Sequence, residues 1–407
     1  MRSDYLLKTK EAVDLYETYA KHQPIIDFHN HVSVADIAEN RKFENLTELW
    51  LASDPYKHRL MRICGIEEDF ITGAASPYEK FEKYCEVFPL LAGNPVYDWS
   101  RMELSRIFGI EALPTKENAA YIYEKTAEQL ASPEFSNNAI LKRFSIAYQS
   151  PVAQLQEDLS GFDGVTVAPS LRGDNLLTED MPFENICSRL DAFHKKGCRF
   201  ADHALDADFF SAKAAADRLV KLAAEYAKRG WTLLLHIGAK RNTSPRLAKL
   251  AGPAGGYAAA GSSFPVNDIC DLLGKMEDAG GLPDTVLFPL NMSDQAAFAV
   301  LQGSYAQDGV AAKVQLGPAW WWCDHPMGIE NTLSCIASFG VVSQFIGMTT
   351  DSRSILSFVR HDYFRRLLCS WLEEQNRLRQ WEQTPAQLGK LIENICFENA
   401  NRKIYRG

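Results

Sequence analysis

Residues 24–31 read PIIDFHNH, an apolar run that ends in two histidines one residue apart. Alternate residues of a strand share a face, so His29 and His31 aim both imidazoles at one point just past the end of a buried strand. Two histidines so placed make half of a metal site. The plain alternative is a chance His-x-His pair among nine histidines. The strand in front of the pair and the partners found further along the chain argue for the metal.

Working outward, the same build recurs. Short β-branched runs that end in polar residues lie at 144–149, 164–172, 198–204, 231–238, 284–291, 313–322 and 345–353, making eight with the first. Most are separated by stretches of helical period, such as 211–230. Near-continuous apolar strands alternating with helices predict a parallel sheet buried on both faces, and eight such units predict an α/β fold of the TIM type, a (β/α)8 barrel. An open doubly wound sheet is the alternative, but no Gly-rich phosphate turn follows the first strand. About 110 residues separate His31 from Phe144, too many for one crossover helix. Their patterns, such as PYKHRLMRI and PYEKFEKYCEVFPLL, are helical. They predict a helical insertion over residues 33–140, packed across the barrel mouth, with the barrel built from 1–32 and 141–407. The stretch 355–404 also reads as helical.

Composition narrows the partners. The chain has 407 residues, 46% of them apolar, enough for a large core. A net charge of −9 with no basic run argues against nucleic acid or an anionic membrane as partner. A small anionic substrate then needs local arginines. Nine cysteines without paired spacing read as reduced thiols in a cytoplasmic protein. The N-terminal stretch reads as an amphipathic helix without the apolar segment of a signal peptide. No apolar run is long enough to span a bilayer. A homo-oligomer is compatible with all of this.

Chemistry in such barrels sits at the C-terminal ends of the strands. The candidates there are His29, His31, Arg172, His203, His236, Trp320 to Trp322, Asp351 and Arg353. Asp351 and Arg353 lie two apart after FIGMTT, so both can face the centre. A carboxylate there can ligate a metal alongside His29 and His31, or act as a base kept ionised by a nearby cation. A structural Asp–Arg ion pair is the simpler alternative. Arg172 and Arg353 carry forked donors suited to a carboxylate substrate, although an arginine in a loop is often just solvated. His236 ends a strongly apolar strand, either as a further metal ligand or as a structural histidine. His203 reads as structural, or as a support behind the site. Of the three tryptophans at least one belongs in the core, and one can wall a sugar.

Several longer phrases add a resemblance: QPIIDFHNHVSVADIAEN, NLTELWLASDPYKHRLMRICGI, GCRFADHALD, RGWTLLLHIGAKRN, GPAWWW and MTTDSRSILSFVRHDYFRRLLC. Together they resemble the uronate isomerases, the glucuronate isomerase branch of the amidohydrolase superfamily, over nearly the whole chain. The resemblance implies interconversion of aldose and ketose hexuronates, glucuronate with fructuronate and galacturonate with tagaturonate. It implies one divalent cation, zinc, on His29, His31 and Asp351, and a small sugar acid as the partner. Tyr56 matches the tyrosine of the family's His-Tyr-Lys-Trp-Arg loop. Arg172, Arg353 and one of Trp320 and Trp321 match its substrate contacts. Such isomerisation moves a proton between C1 and C2 through an enediol. Asp351 or Tyr56 can shuttle it, and Arg353 assists.

The chain departs from the family pattern in three places. The histidine before the tyrosine is Pro55, and the tryptophan two residues later is His58. His58, one helical turn from Pro55, is placed to supply the missing donor to the substrate. The acidic phrase after the second strand is replaced at Ala147–Pro151. The loop after the fifth strand, Gly255–Ala260, has lost its aspartate. These changes imply a divergent member with another sugar acid as the alternative. A zinc hydrolase or deaminase on the same barrel, favoured by His236, is a second alternative. A non-catalytic sugar-acid binding protein is a third.

Overall fold

The computed structural model describes residues 1–178 and 181–405. The last two residues of the expected barrel segment therefore lie outside the described residues. The fold is α/β. Its main sheet has seven strands: β1 Ile25–Asn30, β2 Ile146–Gln154, β3 Ser170–Arg172, β4 Phe200–Leu205, β5 Thr232–Ile237, β6 Asp284–Pro289 and β7 Val314–Leu316. They are parallel and adjacent in chain order, the arrangement of a half-barrel. Every residue of β1 and of β5 is buried. Both faces of the sheet are covered, as runs without polar alternation require.

The crossovers are helical. Helices Phe183–Lys195, Lys213–Lys228, Val266–Asp278 and Gln295–Ser304 lie between consecutive strands from β3 to β7. Lys213–Lys228 shows the reason in its sequence. It buries Ala215, Ala216, Leu219, Leu222, Ala223 and Tyr226, a stripe at helical spacing. Between β1 and β2 the chain forms a series of helices, among them Pro55–Ile63, Pro77–Val87 and Pro95–Ile107. Each of these three starts with proline, which has no N–H to orphan there, behind a capping side chain of Asp54, Ser76 or Asn94.

The eighth expected strand is corrected. Residues 345–353 follow the sheet edge without forming a regular strand. Gly347 and Asp351 take positive φ (89° and 48°), which breaks an extended ladder. The run is still tied to both edge strands. Ile346 N–H donates to the Gln315 side chain (2.9 Å) of β7. At β1, Asp351 N–H donates to His29 O (3.1 Å) and His31 N–H to Ser352 O (2.8 Å). Thr349 Oγ1 accepts from His29 N–H (2.9 Å), so a side chain stands where a ladder carbonyl would. A two-residue antiparallel pair, Ala239–Lys240 with Ala259–Ala260, carries the loop after β5 and was not expected. Among the described residues no helix is long and apolar enough to cross a membrane.

Candidate active site

The C-terminal ends of β1, β3 and β5 and the segments after β7 open onto one cavity of about 150 Å³. His29 and His31, two apart on β1 and its extension, reach it from the same side. Asp351 arrives from the run beside them. Its Oδ1 lies 3.4 Å from His29 Nε2 and 3.1 Å from His31 Nε2. Bond lengths of roughly 2.0–2.1 Å in a tetrahedron put neighbouring ligand atoms roughly 3.3 Å apart. Two imidazole nitrogens and a carboxylate oxygen at these separations fit a divalent cation. The donor atoms of His29, Asp202 and His236 also lie within 4.8 Å of one another. His236 Nδ1 is 3.9 Å from Asp202 Oδ2.

Charge in this corner is arranged for a cation. Burial pushes the Asp351 carboxyl up, but hydrogen bonding to His29 and His31 outweighs it and holds the group well below the ordinary carboxylate range. Burial pushes His29 down, yet the charges of Asp202 and Asp351 win and raise it. His31 and His236 are lowered, chiefly by burial, so their rings stay neutral as ligation needs. Among the described residues His29 Nδ1 has no hydrogen-bond partner, and buried Asp202 is met by the Arg172 guanidinium at 3.0 Å.

Asp27 explains why Asp351 sits where it does. Its buried carboxylate accepts from Thr350 N–H (2.6 Å), Thr349 Oγ1 (3.0 Å), Thr350 Oγ1 (2.8 Å) and Asn30 Nδ2 (2.8 Å), and His361 Nε2 lies 3.1 Å away. The sequence reading missed Asp27, Asp202 and His361. The first lies inside the quoted DFHNH phrase, at the same strand parity as both histidines.

The expected substrate residues separate into two groups. Arg172, Arg353, Tyr56, Trp320 and Trp321 all line the cavity. Arg172 is committed to two carboxylates, Asp202 (3.0 Å) and Asp174 (2.9 Å). Arg353 donates to Ser53 O (2.9 Å) across the cavity rim. Arg241, which sequence reasoning overlooked, lies on the wall at 5.1 Å from the Trp321 ring and pairs with Asp206 (2.9 Å). Trp320 is the core member of the tryptophan run and donates Nε1–H to Phe288 O (2.9 Å). The Tyr56 ring packs edge-on against Trp99 and Trp322 at 5.9 and 5.5 Å, and its buried hydroxyl has no partner among the described residues. Burial holds that phenol well above its ordinary value.

His58 is a correction. It sits inside helix Pro55–Ile63 on the face away from the cavity, with Nε2 2.5 Å from Leu51 O. Three helical positions from Pro55, it faces the inner packing, and burial lowers its basicity. His203 also stays out of the cavity, with Nε2 3.0 Å from the Tyr226 hydroxyl.

The glucuronate isomerase family profile matches residues 1–192 and 212–404. The chain belongs to the glucuronate isomerase family. It is 36% identical to the uronate isomerase of Caldanaerobacter subterraneus subsp. tengcongensis, an alignment covering 100% of this chain and 99% of the relative. It is also 36% identical to the uronate isomerase of Mannheimia succiniciproducens, with 98% of each covered. The crystal structure of the Thermotoga maritima uronate isomerase superposes with a TM-score of 0.89 at 26% identity, covering 100% of this chain and 99% of that one. The glucuronate isomerase of Caulobacter crescentus shares the fold at a TM-score of 0.88 and 21% identity. This member of the glucuronate isomerase family is accordingly an isomerase.

Proposed function

We propose that the protein interconverts aldose and ketose hexuronates by moving a proton between C1 and C2. The observation that carries this is the convergence of His29, His31 and Asp351 at one mouth of a cavity that also presents arginines. His29, His31 and Asp351 would hold one divalent cation, zinc by its donor set, with His236 beside it. Such an ion, when bound, polarises a sugar oxygen and stabilises enediolate charge.

The protein's own groups do the rest. Asp351, held ionised, is suited to take the proton from carbon. Tyr56, held protonated with an unengaged hydroxyl, is suited to donate to a sugar oxygen. Arg353 and Arg241 offer forked donors to the C6 carboxylate. Arg172 keeps Asp202 neutralised and adds to the positive field. The tryptophans exclude water and wall the apolar face of the sugar.

The hydrogen bonds of 345–352 to both edge strands support its reading as the closing eighth element of a (β/α)8 barrel. Residues 33–140 then act as a helical cover, through Leu49 and Ser53–Tyr56 on the cavity wall. Nine unpaired cysteines fit a reducing compartment, the cytoplasm.

The test is a panel of hexuronates assayed with the zinc-loaded wild type and Asp351→Asn. Turnover by the wild type, lost at least about a thousandfold in the variant, is expected. Turnover indifferent to Asp351→Asn would remove the proposed chemistry.

A further inference from the structure

Behind the cavity a buried cation is aimed at the proposed proton donor. The Arg360 guanidinium carbon lies 5.8 Å from the centre of the Tyr56 ring and 4.1 Å from that of Trp99. Trp99 and Trp322 are the rings that meet Tyr56 edge-on. Arginine and tryptophan side chains carry donors and no acceptor. Three elements bring them together. Arg360 is in the first turn of helix Val359–Leu378, Trp99 is on helix Pro95–Ile107, and Trp322 is in the turn Trp321–Cys323. The next residue, Asp324, fixes the guanidinium in an ion pair with both side chains buried. Among the described residues Arg360 Nε still has no hydrogen-bond partner.

A buried ion pair is weak evidence for stability, since well-packed apolar side chains often serve as well. What the cation faces explains it better. Arg360 does not line the cavity, whereas Tyr56 does. Its link to the reaction therefore runs through the tyrosine. In the proposed chemistry Tyr56 gives its proton to the sugar carbonyl oxygen as Asp351 takes the proton from carbon. A phenolate is left in a buried place. The hydroxyl proton of the adjacent carbon returns to it as the new carbonyl forms there, while Asp351 gives its proton to the other carbon, so the step balances. In between, a guanidinium already locked in place favours the phenolate without rearrangement. Burial is the largest influence on the phenol and raises it. Arg360 comes next and works the other way, ahead of Asp351, Asp324 and Asp54, which raise it.

Resting on the role given to Tyr56 above, we propose that Arg360 is a positioning residue for that tyrosine. It fixes the ring and stabilises the phenolate formed during proton transfer.

The experiment is a double-mutant cycle on the zinc-loaded enzyme with a hexuronate as substrate. Arg360→Gln is made together with Asp324→Asn, so that no carboxylate is stranded. This pair should lower kcat by about tenfold or more, with KM and zinc content unchanged. Tyr56→Phe should lower kcat by about a hundredfold, and adding the pair to it should cost less than about threefold more. Arg360→Lys keeps the charge and should stay within about threefold of wild type. If the Gln/Asn pair does not fold, Arg360→Met with Asp324→Leu, an apolar pair, takes its place in the cycle. A pair that costs as much in Tyr56→Phe as in wild type, or an Arg360→Lys that falls as far as the pair, would overturn this proposal and leave the role of Tyr56 intact. A Tyr56→Phe with wild-type kcat would overturn both. No turnover of any hexuronate by the wild type would overturn the hexuronate reading with them.

Discussion

Asp351 reaches the cavity with a φ of 48°, a conformation that aspartate and asparagine tolerate better than most residues. Asp351→Asn should therefore fold normally and fail as a ligand. His31→Ala should likewise lose the ion, retaining less than about a tenth of wild-type zinc by elemental analysis. His236→Ala, whose Nδ1 lies 3.9 Å from Asp202, should keep its zinc with affinity weakened by about tenfold. Equal zinc loss in His31→Ala and His236→Ala would make His236 a full ligand. The two arginines should part in the same way. Among the described residues Arg353 bridges only to a backbone carbonyl, so Arg353→Met should raise KM for a hexuronate about ten- to a hundredfold and leave that of the uncharged aldose unchanged. Arg172→Met strands the buried carboxylate of Asp202. It should lower stability in urea unfolding by about 3 kcal/mol, whatever it does to KM. At this scale the sequence was legible where spacing carries geometry. His29 and His31 sit two apart across the end of β1, and Asp351 and Arg353 are two apart in the run beside it. Asp202 was passed over for its neighbour His203 because β4 is buried on both faces, so no polar alternation marks which residue faces inward. His58 was misread because helix Pro55–Ile63 buries two sides, and spacing alone does not say which is wet.

Among the elements, the run 345–352 is tied to both edge strands of the sheet. It has no ladder of its own, and Asp27 substitutes for one by collecting two threonine hydroxyls and a backbone N–H. Asp27→Asn keeps the shape but must turn a donor toward groups that already donate. A loss of about 3 kcal/mol or more is expected in urea unfolding, together with poor zinc retention, since Asp351 is the next residue after Thr350. Full zinc occupancy in a destabilised Asp27→Asn would separate the two roles and refute the coupling. Strand β1 and the crossover helices were readable from period and apolar content. The eighth run looked like a strand because FIGMTT has strand composition. Its departure comes from Gly347 and from side chains replacing ladder partners, which composition does not encode. The hairpin at 239–240 and 259–260 was unreadable for a similar reason, since Ala, Gly and Lys carry little strand signal.

For the whole molecule, acidity is the informative variable. Burial holds His58, His203 and His361 below the ordinary histidine value. The unfolded chain takes up protons near pH 6.5 that the folded one refuses, so stability is flat above that pH and falls below it. His29, raised in the fold, offsets one of these. Between pH 7.5 and 5.5 the unfolding free energy should drop, read from urea midpoints at each pH. A constant or rising value would contradict the buried neutral histidines. Asp27 acts in a lower window. Burial opposes its ionisation, but His361 and the other hydrogen bonds hold it below its ordinary value, so its contribution is present above about pH 4 and lost only as acid passes below that. The size of the chain and the alternation of runs were enough to anticipate an α/β enzyme. The bond between His29 and Asp351 has one more implication, concerning time. These residues are separated by more than 300 positions, and the groups that join them come from both sides of that gap. During synthesis His29 and His31 leave the ribosome long before Asp351 exists. A nascent chain can offer a passing ion only two histidines, and a complete set of donors forms when the final strand-like run docks on the first. Capture of the proposed cation would thus be a late event, waiting on the docking of Asp351 beside β1.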